Sequence, residues 1–203
     1  MVGILSVDFD YFIDCSSEER DLYFPSGNDE VPKDELDLIW KERYERYPNL
    51  IDLGVINDYY VFKNYLLLSN VPNWNIYVSD SHKYIKKVID KIPKKLPLMI
   101  VNIDFHHDYY HYYRGNDKLN CGNWLRRVVE ERPNIKVIWI RREDSQTISL
   151  EGEFPFEHTT DIKIIFKEDF DYIFICRSPE WSPPHLRGRF NELVSSVYNG
   201  KTA

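Results

Sequence analysis

The stretch Leu98-Met-Ile-Val-Asn-Ile-Asp-Phe-His-His-Asp108 constrains this chain more than any other. It is apolar, rich in branched residues and without helical period, and it ends abruptly in charged and imidazole side chains. Such a run suits a strand buried on both faces of a parallel sheet. Extended backbone sends alternate side chains to opposite faces. A strand continuing to residue 108 would therefore aim Asp104, His106 and Asp108 at one point, and Phe105 and His107 away from it. Three metal-competent groups at the end of a buried strand point to a metal site; the plainer reading is a polar, solvated strand end.

Other apolar runs are placed around this one. Val2–Val7 reads as a buried strand that ends in Asp8-Phe-Asp10, and Asn75–Val78 as a short strand that ends in Ser79-Asp-Ser-His82. Ile135–Ile140 is the next strand, and Ile162–Phe166 and Tyr172–Cys176 are two further apolar runs. Helical spacing marks Asp34–Tyr47, Asn57–Leu68, the segment after Ser81 (an expected N-cap), the segment from Trp124 to near Pro133, and Leu186–Val197. Ser16–Pro32, with Pro25, Gly27 and Asn28, reads as a long loop, and Tyr109–Asn120 as a second. Strands alternate with helices and no internal repeat or second domain is evident. The expected fold is thus α/β, a single three-layer domain over residues 1–203 with a mostly parallel sheet. Ligands of such sheets sit beyond the carboxyl ends of the strands. Asp8/Asp10, His82, Asp104/His106/Asp108 and Glu180 each follow a candidate strand.

Charge and cysteine usage narrow the classes. A net charge of −7 over 203 residues argues against nucleic acid as a partner and leans toward a cationic substrate. Val2–Val7 is too short, and lacks the basic leader, for a signal peptide, and no apolar run reaches membrane-spanning length. Cys15, Cys121 and Cys176, odd in number and without ligand spacing, read as reduced thiols. A cytoplasmic protein without a membrane partner is expected.

Four aspartates (Asp8, Asp10, Asp104, Asp108) and two histidines (His82, His106) form the donor set. Close carboxylates repel and need a cation or a shared proton, and so many charged ligands suit two bridged divalent ions better than one. Oxygen-rich donors with some imidazole and no thiolate favour Mn(II), then Fe(II) or Zn(II). Such a pair lowers the pKa of water enough to make hydroxide near neutral pH.

Asp104-x-His106-x-Asp108, with Asp8-x-Asp10 and His82, resembles the arginase–agmatinase–deacetylase superfamily. The nearer likeness is to a small arginase-like family of peptide arginases, through Ser6–Phe12, Asp104–Asp108, Asn120–Trp124 and Ser178–Glu180. The resemblance implies two Mn(II) ions and an arginine-containing peptide or protein as substrate, converted to ornithine with release of urea. It casts Asp104 and Asp8 as bridging carboxylates. Asp108 and His82 would complete one metal and His106 and Asp10 the other, with Glu180 as partner of the substrate guanidinium. Two departures stand out. The Asp-x-Asp pair opens the chain, where arginases place it after the Asp-x-His-x-Asp strand, which implies permuted or compact connectivity. Asn120-Cys-Gly122 also stands where arginases carry a proton-shuttling histidine, leaving His107 and His111 as candidate proton donors.

Two other functions fit the sequence. Leu5–Asp10 looks like the opening strand of haloacid-dehalogenase-type phosphatases, with Asp8 as nucleophile and Asp10 as acid/base. A non-catalytic peptide-binding module is the other. Tyr109, Tyr110, Tyr112 and Tyr113 suit either a peptide groove or ordinary loop packing. Cys121, just before a helix, reads as reactive or simply buried, and Ser178-Pro-Glu180 as a site element or a mere turn.

Overall fold

The computed structural model describes residues 1–25, 31–110, 118–149 and 152–199. Strands β1 (Val2–Asp8), β2 (Ile76–Ser79), β3 (Leu98–Ile103) and β4 (Ile135–Ile140) come from the apolar runs in chain order. A small antiparallel pair, β5 (Ile148–Ser149) and β6 (Gly152–Glu153), follows, and then β7 (Glu157–Thr159) and β8 (Tyr172–Cys176). Six of them form one sheet in the order β2-β8-β1-β3-β4-β7, with every neighbouring pair parallel. Parallel neighbours need crossovers: α1 (Ser17–Tyr23), α2 (Lys33–Arg46) and α3 (Asn57–Leu68) lie between β1 and β2, α4 (Ile85–Ile89) between β2 and β3, and α5 (Trp124–Glu131) between β3 and β4, while α6 (Arg187–Asn199) follows β8.

Strand alternation divides the core in two. Leu5, Val7, Val101, Ile103, Ile138, Ile140, Ile173 and Ile175 face one layer, filled by Trp40 of α2, Tyr59 and Phe62 of α3, and Phe190 and Leu193 of α6. Ile4, Leu98, Ile100, Val137, Trp139 and Phe174 face the other, where Ile85, Val88 and Ile89 of α4 and Trp124, Leu125 and Val128 of α5 pack. The result is the three-layer α/β domain that the alternation of elements implied. Buried Arg132 ties the second layer together: its Nη2 donates to Ile89 O (2.7 Å) and Ile92 O (2.5 Å), satisfying carbonyls at the end of α4. Gly3 is needed for close approach, since a Cβ there would lie 2.3 Å from Asp169 O.

Two readings need correction, and one apolar run left open is assigned. Ser16–Pro32 is not all loop, because Ser16 and Glu19 form a reciprocal capping box that starts α1. Ile162–Lys167 is a 3-10 helix with only Ile162 and Ile165 buried. Ser81 does precede a helix, but of the 3-10 type (His82–Tyr84) running into α4, and its hydroxyl makes no capping bond.

Strand order locates the site. From β1 the chain travels out to β2 at one edge and returns to β3 on the opposite side of β1. The carboxyl ends of β1 and β3 therefore open onto the crevice of a topological switch point.

Candidate metal centre

Two seven-residue stretches, Ile4-Leu-Ser-Val-Asp-Phe-Asp10 and Ile100-Val-Asn-Ile-Asp-Phe-His106, share a pattern and are register partners. Ile4 pairs with Ile100, Ser6 with Asn102 and Val7 with Ile103. Parallel pairing thus sets Asp8 beside Asp104 and Asp10 beside His106 at the ends of the two central strands. β3 stops at Ile103, so the expected straight continuation to Asp108 does not occur. Backbone turns instead: Asp104 Oδ1 accepts from His106 N (2.9 Å), and Asp108 takes a left-handed conformation with φ of 52°. The three side chains still converge, by a bend in place of a strand.

His82, fully buried at the entry to α4, is the hub. Its Nδ1 lies 3.4 Å from Asp8 Oδ2, 3.1 Å from Asp104 Oδ2 and 3.0 Å from Asp108 Oδ2. Its Nε2 is 2.6 Å from Ser6 Oγ. With the Nε2 proton given to Ser6, Nδ1 keeps its lone pair for a cation. His106 Nδ1 lies 3.2 Å from Asp10 Oδ2, and its ring sits against Trp181 (4.7 Å). Among the described residues, Asp8–His82–Asp104 and Asp10–Asp104–His106 each bring three ligand atoms within 4.8 Å of one another, and Asp104 belongs to both groups.

A shell of donors fixes these ligands; the sequence reading marked Ser178 and Trp124 only as parts of motifs and did not single out Asn102, Trp139 or Arg20. Ser178 Oγ donates to Asp8 Oδ2 (2.5 Å), Trp124 Nε1 to Asp108 Oδ2 (2.5 Å), and Asn102 Nδ2 to Asp104 Oδ2 (3.3 Å). Trp139 Nε1 donates to Asp104 O (2.9 Å). Buried Arg20 donates through Nη2 to Asp10 O (2.7 Å), with Nη1 3.8 Å from Asp10 Oδ2 and its guanidinium 4.0 Å from the Phe105 ring centre. Ser6 and Asn102 were detectable as polar interruptions two residues before an aspartate in otherwise apolar strands. Ser178, with φ of 47°, and Asp108 are the two non-glycine residues of positive φ among the described ones, and both touch the cluster. Strain of that kind persists where its surroundings enforce it.

Burial and crowding dominate the electrostatics. Burial, then the neighbouring Asp10, pushes the Asp8 carboxyl up to about 6; burial, then Asp108, pushes Asp104 up to about 8. Burial opposes the charge on Asp10, but the adjacent His106 and Arg20 outweigh it and hold its pKa below the usual value. Burial opposes charge on both histidines, yet Asp10 raises His106 to about 9, and Asp104, Asp108 and Asp8 together raise the pKa of His82 well above the ordinary imidazole value. One carboxylate oxygen, Asp10 Oδ1, is buried without a hydrogen-bond partner. An orphaned anionic oxygen beside groups that hold protons only through crowding is what a cation would relieve, so the donor set fits divalent metal.

The remaining candidates fall around this centre. Glu180 is buried in the turn after β8 and lines a cleft of about 330 Å³ with Trp40, Ser81, Lys83, Arg177 and Arg187. The same turn reaches the centre at Ser178 and Trp181, so Ser178-Pro-Glu180 is more than a connection. His107 packs against the rings of Tyr110 (4.0 Å), Phe154 (5.6 Å) and Trp139 (5.7 Å), and its Nδ1 accepts from Tyr109 N (3.0 Å). Tyr109 packs on Phe154 and Phe156, which supports loop packing for this tyrosine. His111, Tyr112 and Tyr113 lie outside the described residues. The three cysteines are free thiols, with Cys176 fully buried and its pKa pushed up by that burial. Among the described residues no helix is long and apolar enough to cross a membrane.

No family model matches this chain, and neither a curated protein nor a solved structure is significantly similar to it.

Proposed function

We propose that this protein is a binuclear-metal amidinohydrolase that cleaves an arginine side chain, carried on a peptide or protein, into ornithine and urea. The observation that carries the reading is Asp104, one buried carboxylate common to two three-ligand groups. The motifs that resemble arginases support the same assignment. Asp8, His82, Asp104 and Asp108 would hold one ion, and Asp10, Asp104 and His106 the other. Mn(II) suits the oxygen-rich donors best, with Fe(II) or Zn(II) next. Bound there, such a pair supplies a water polarised into a nucleophile at neutral pH and stabilises developing negative charge.

The chain's own residues do the rest. Glu180, beside the cleft, presents a carboxylate fork that matches a planar guanidinium. Ser6, Asn102, Ser178 and Trp124 keep the ligands from reorienting, which preorganises the charge of the site. Hydrolysis adds water oxygen to the guanidinium carbon and breaks its bond to the ornithine nitrogen, which takes up a proton as it leaves. His107 has Nδ1 engaged by Tyr109, so a proton it delivered would come from Nε2; His111 is the other candidate. A phosphatase built on Asp8 and Asp10 alone leaves the shared Asp104 without a role, and Asp8 Oδ2 already accepts from Ser178.

The test is incubation of Mn(II)-loaded protein with arginine-containing peptides, free arginine and agmatine. Urea release, with the peptide losing the mass of urea less that of water, is the expected result and should disappear in Asp104→Asn. Peptide binding without urea would identify a binding module, and turnover of a chromogenic phosphate ester with Mg(II) would identify a phosphatase. A metal-replete protein inert toward all three amidines would refute the proposal.

A further inference from the structure

The cleft beside Glu180 meets a second cleft at Tyr84. The second, of about 300 Å³, is bounded by Tyr77, Val78, Lys87, Lys91 and Phe174. Phe174 stacks in parallel on His82, with ring centres 5.8 Å apart. This second cleft follows β2, which is bonded to β8 alone, so one margin of its backbone has no strand beside it among the described residues. Edge strands usually carry lysine or proline against unwanted pairing. Ile76-Tyr-Val-Ser79 carries neither, and Val78 is 43% exposed.

Charge is concentrated next to this edge. Lys83, Lys87 and Lys91 recur at helical spacing and fall on one face. Lys87 Nζ lies 4.3 Å from the Tyr84 ring centre. Lys91 Nζ lies 4.8 Å from that of Tyr77 and donates to its hydroxyl (3.4 Å). Lys83 also lies over Tyr84, at 5.6 Å. Lys86, off this face, is engaged by Asp90 (2.6 Å) and Glu131 (3.0 Å). A row of three ammonium groups over tyrosine rings is a local reversal of sign in a chain of net charge −7.

We propose that this edge docks an extended, acidic polypeptide segment. Its main chain adds to β2 as a further strand, its carboxylates face Lys83, Lys87 and Lys91, and the chain continues past Tyr84 into the Glu180 cleft. Main-chain pairing at a free edge supplies affinity and the flanking side chains supply selectivity. The inference rests on the amidinohydrolase reading only for what happens to the docked chain; docking itself needs no turnover.

The probe is a fluorescein-labelled peptide alternating glutamate and valine around one arginine, titrated by fluorescence anisotropy against EDTA-treated protein at low salt. Saturable binding is expected, about tenfold weaker for the K87E/K91E double variant. Two peptides N-methylated at odd or at even positions keep every charge, and at least one should bind about tenfold less tightly, because alternate N–H groups point to one side of a strand. Absence of binding, equal binding of the lysine-for-glutamate peptide, or unchanged affinity for both N-methylated peptides would overturn the proposal. A solution dimer that K87E/K91E dissociates would overturn it too, by assigning the edge to a second copy. Since no metal is present, these outcomes are separate from urea release, whose failure would remove only the catalytic reading.

Discussion

Raising the pH on metal-free protein should destabilise it, and the size of the effect follows from the centre. A group whose folded pKa lies above its unfolded one contributes stability that is fully present below the unfolded value. That contribution is lost as pH rises through the folded value. Asp104 spans the window from 3.8 to about 8, and His106 from 6.5 to about 9. Between roughly pH 7 and 9 the first contributes about 1 kcal/mol of loss and the second about 2 kcal/mol, at about 1.4 kcal/mol per pKa unit. His82 acts in the same direction, whereas Asp10, held low, is ionised throughout this range and adds nothing. A loss on the order of 3 kcal/mol corresponds to a fall in Tm of roughly 10 °C for a domain of this size. Scanning calorimetry on EDTA-treated protein at the two pH values measures it directly. Saturating Mn(II) should raise Tm at both and flatten or reverse the slope, because cations take the places of protons and bind better once those protons have gone. A metal-free Tm that is flat or rises with pH would refute the claim that crowded carboxylates hold protons here.

Other expectations follow from single contacts. Asp104→Asn should abolish metal binding at both positions by elemental analysis, yet leave the metal-free protein about as stable at pH 7 and more stable at pH 9, because the amide cannot ionise in the crowded site. Ser178→Ala deletes the bond to Asp8 and should cost about 1–2 kcal/mol in a denaturant melt and about tenfold or more in metal affinity. Ser178→Gly should regain part of the stability, through relief of the positive φ, but none of the affinity. Gly3→Ala drives a Cβ into Asp169 O and should cost about 1–3 kcal/mol with metal affinity unchanged, which denaturation and metal titration in parallel would check.

Much of the layout was legible along the chain. Buried strands of a parallel sheet announce themselves as unbroken apolar runs, so β1, β4 and β8 were found with nearly their true ends and β3 with its true start, though it stops at Ile103 and not at Asp108. α3 was found over its observed range, Asn57–Leu68, bounded by Ser69. α1 was missed although Ser16-x-x-Glu19 is a capping box in plain view; the nearby Pro25 and Gly27 weighed more heavily than the start signal. Ile162–Phe166 stayed unassigned as an apolar run, because such a run has the same look in a strand and in the half-buried 3-10 helix it forms.

Residue order by itself determined which side chains end each strand, because alternation and apolar period are local properties of a few neighbouring residues. It therefore brought Asp8, Asp10, Asp104, His106 and Asp108 into view as candidates. Only tertiary structure decided that β1 and β3 are register partners, that His82 points Nδ1 at three carboxylates, and that Arg20 of α1 and Ser178 of the turn after β8 reach in. Those contacts depend on strand order and on bends at Asp108 and Ser178. Both are set by the packing of two cores against one sheet, which is a property of the whole chain that no short window contains.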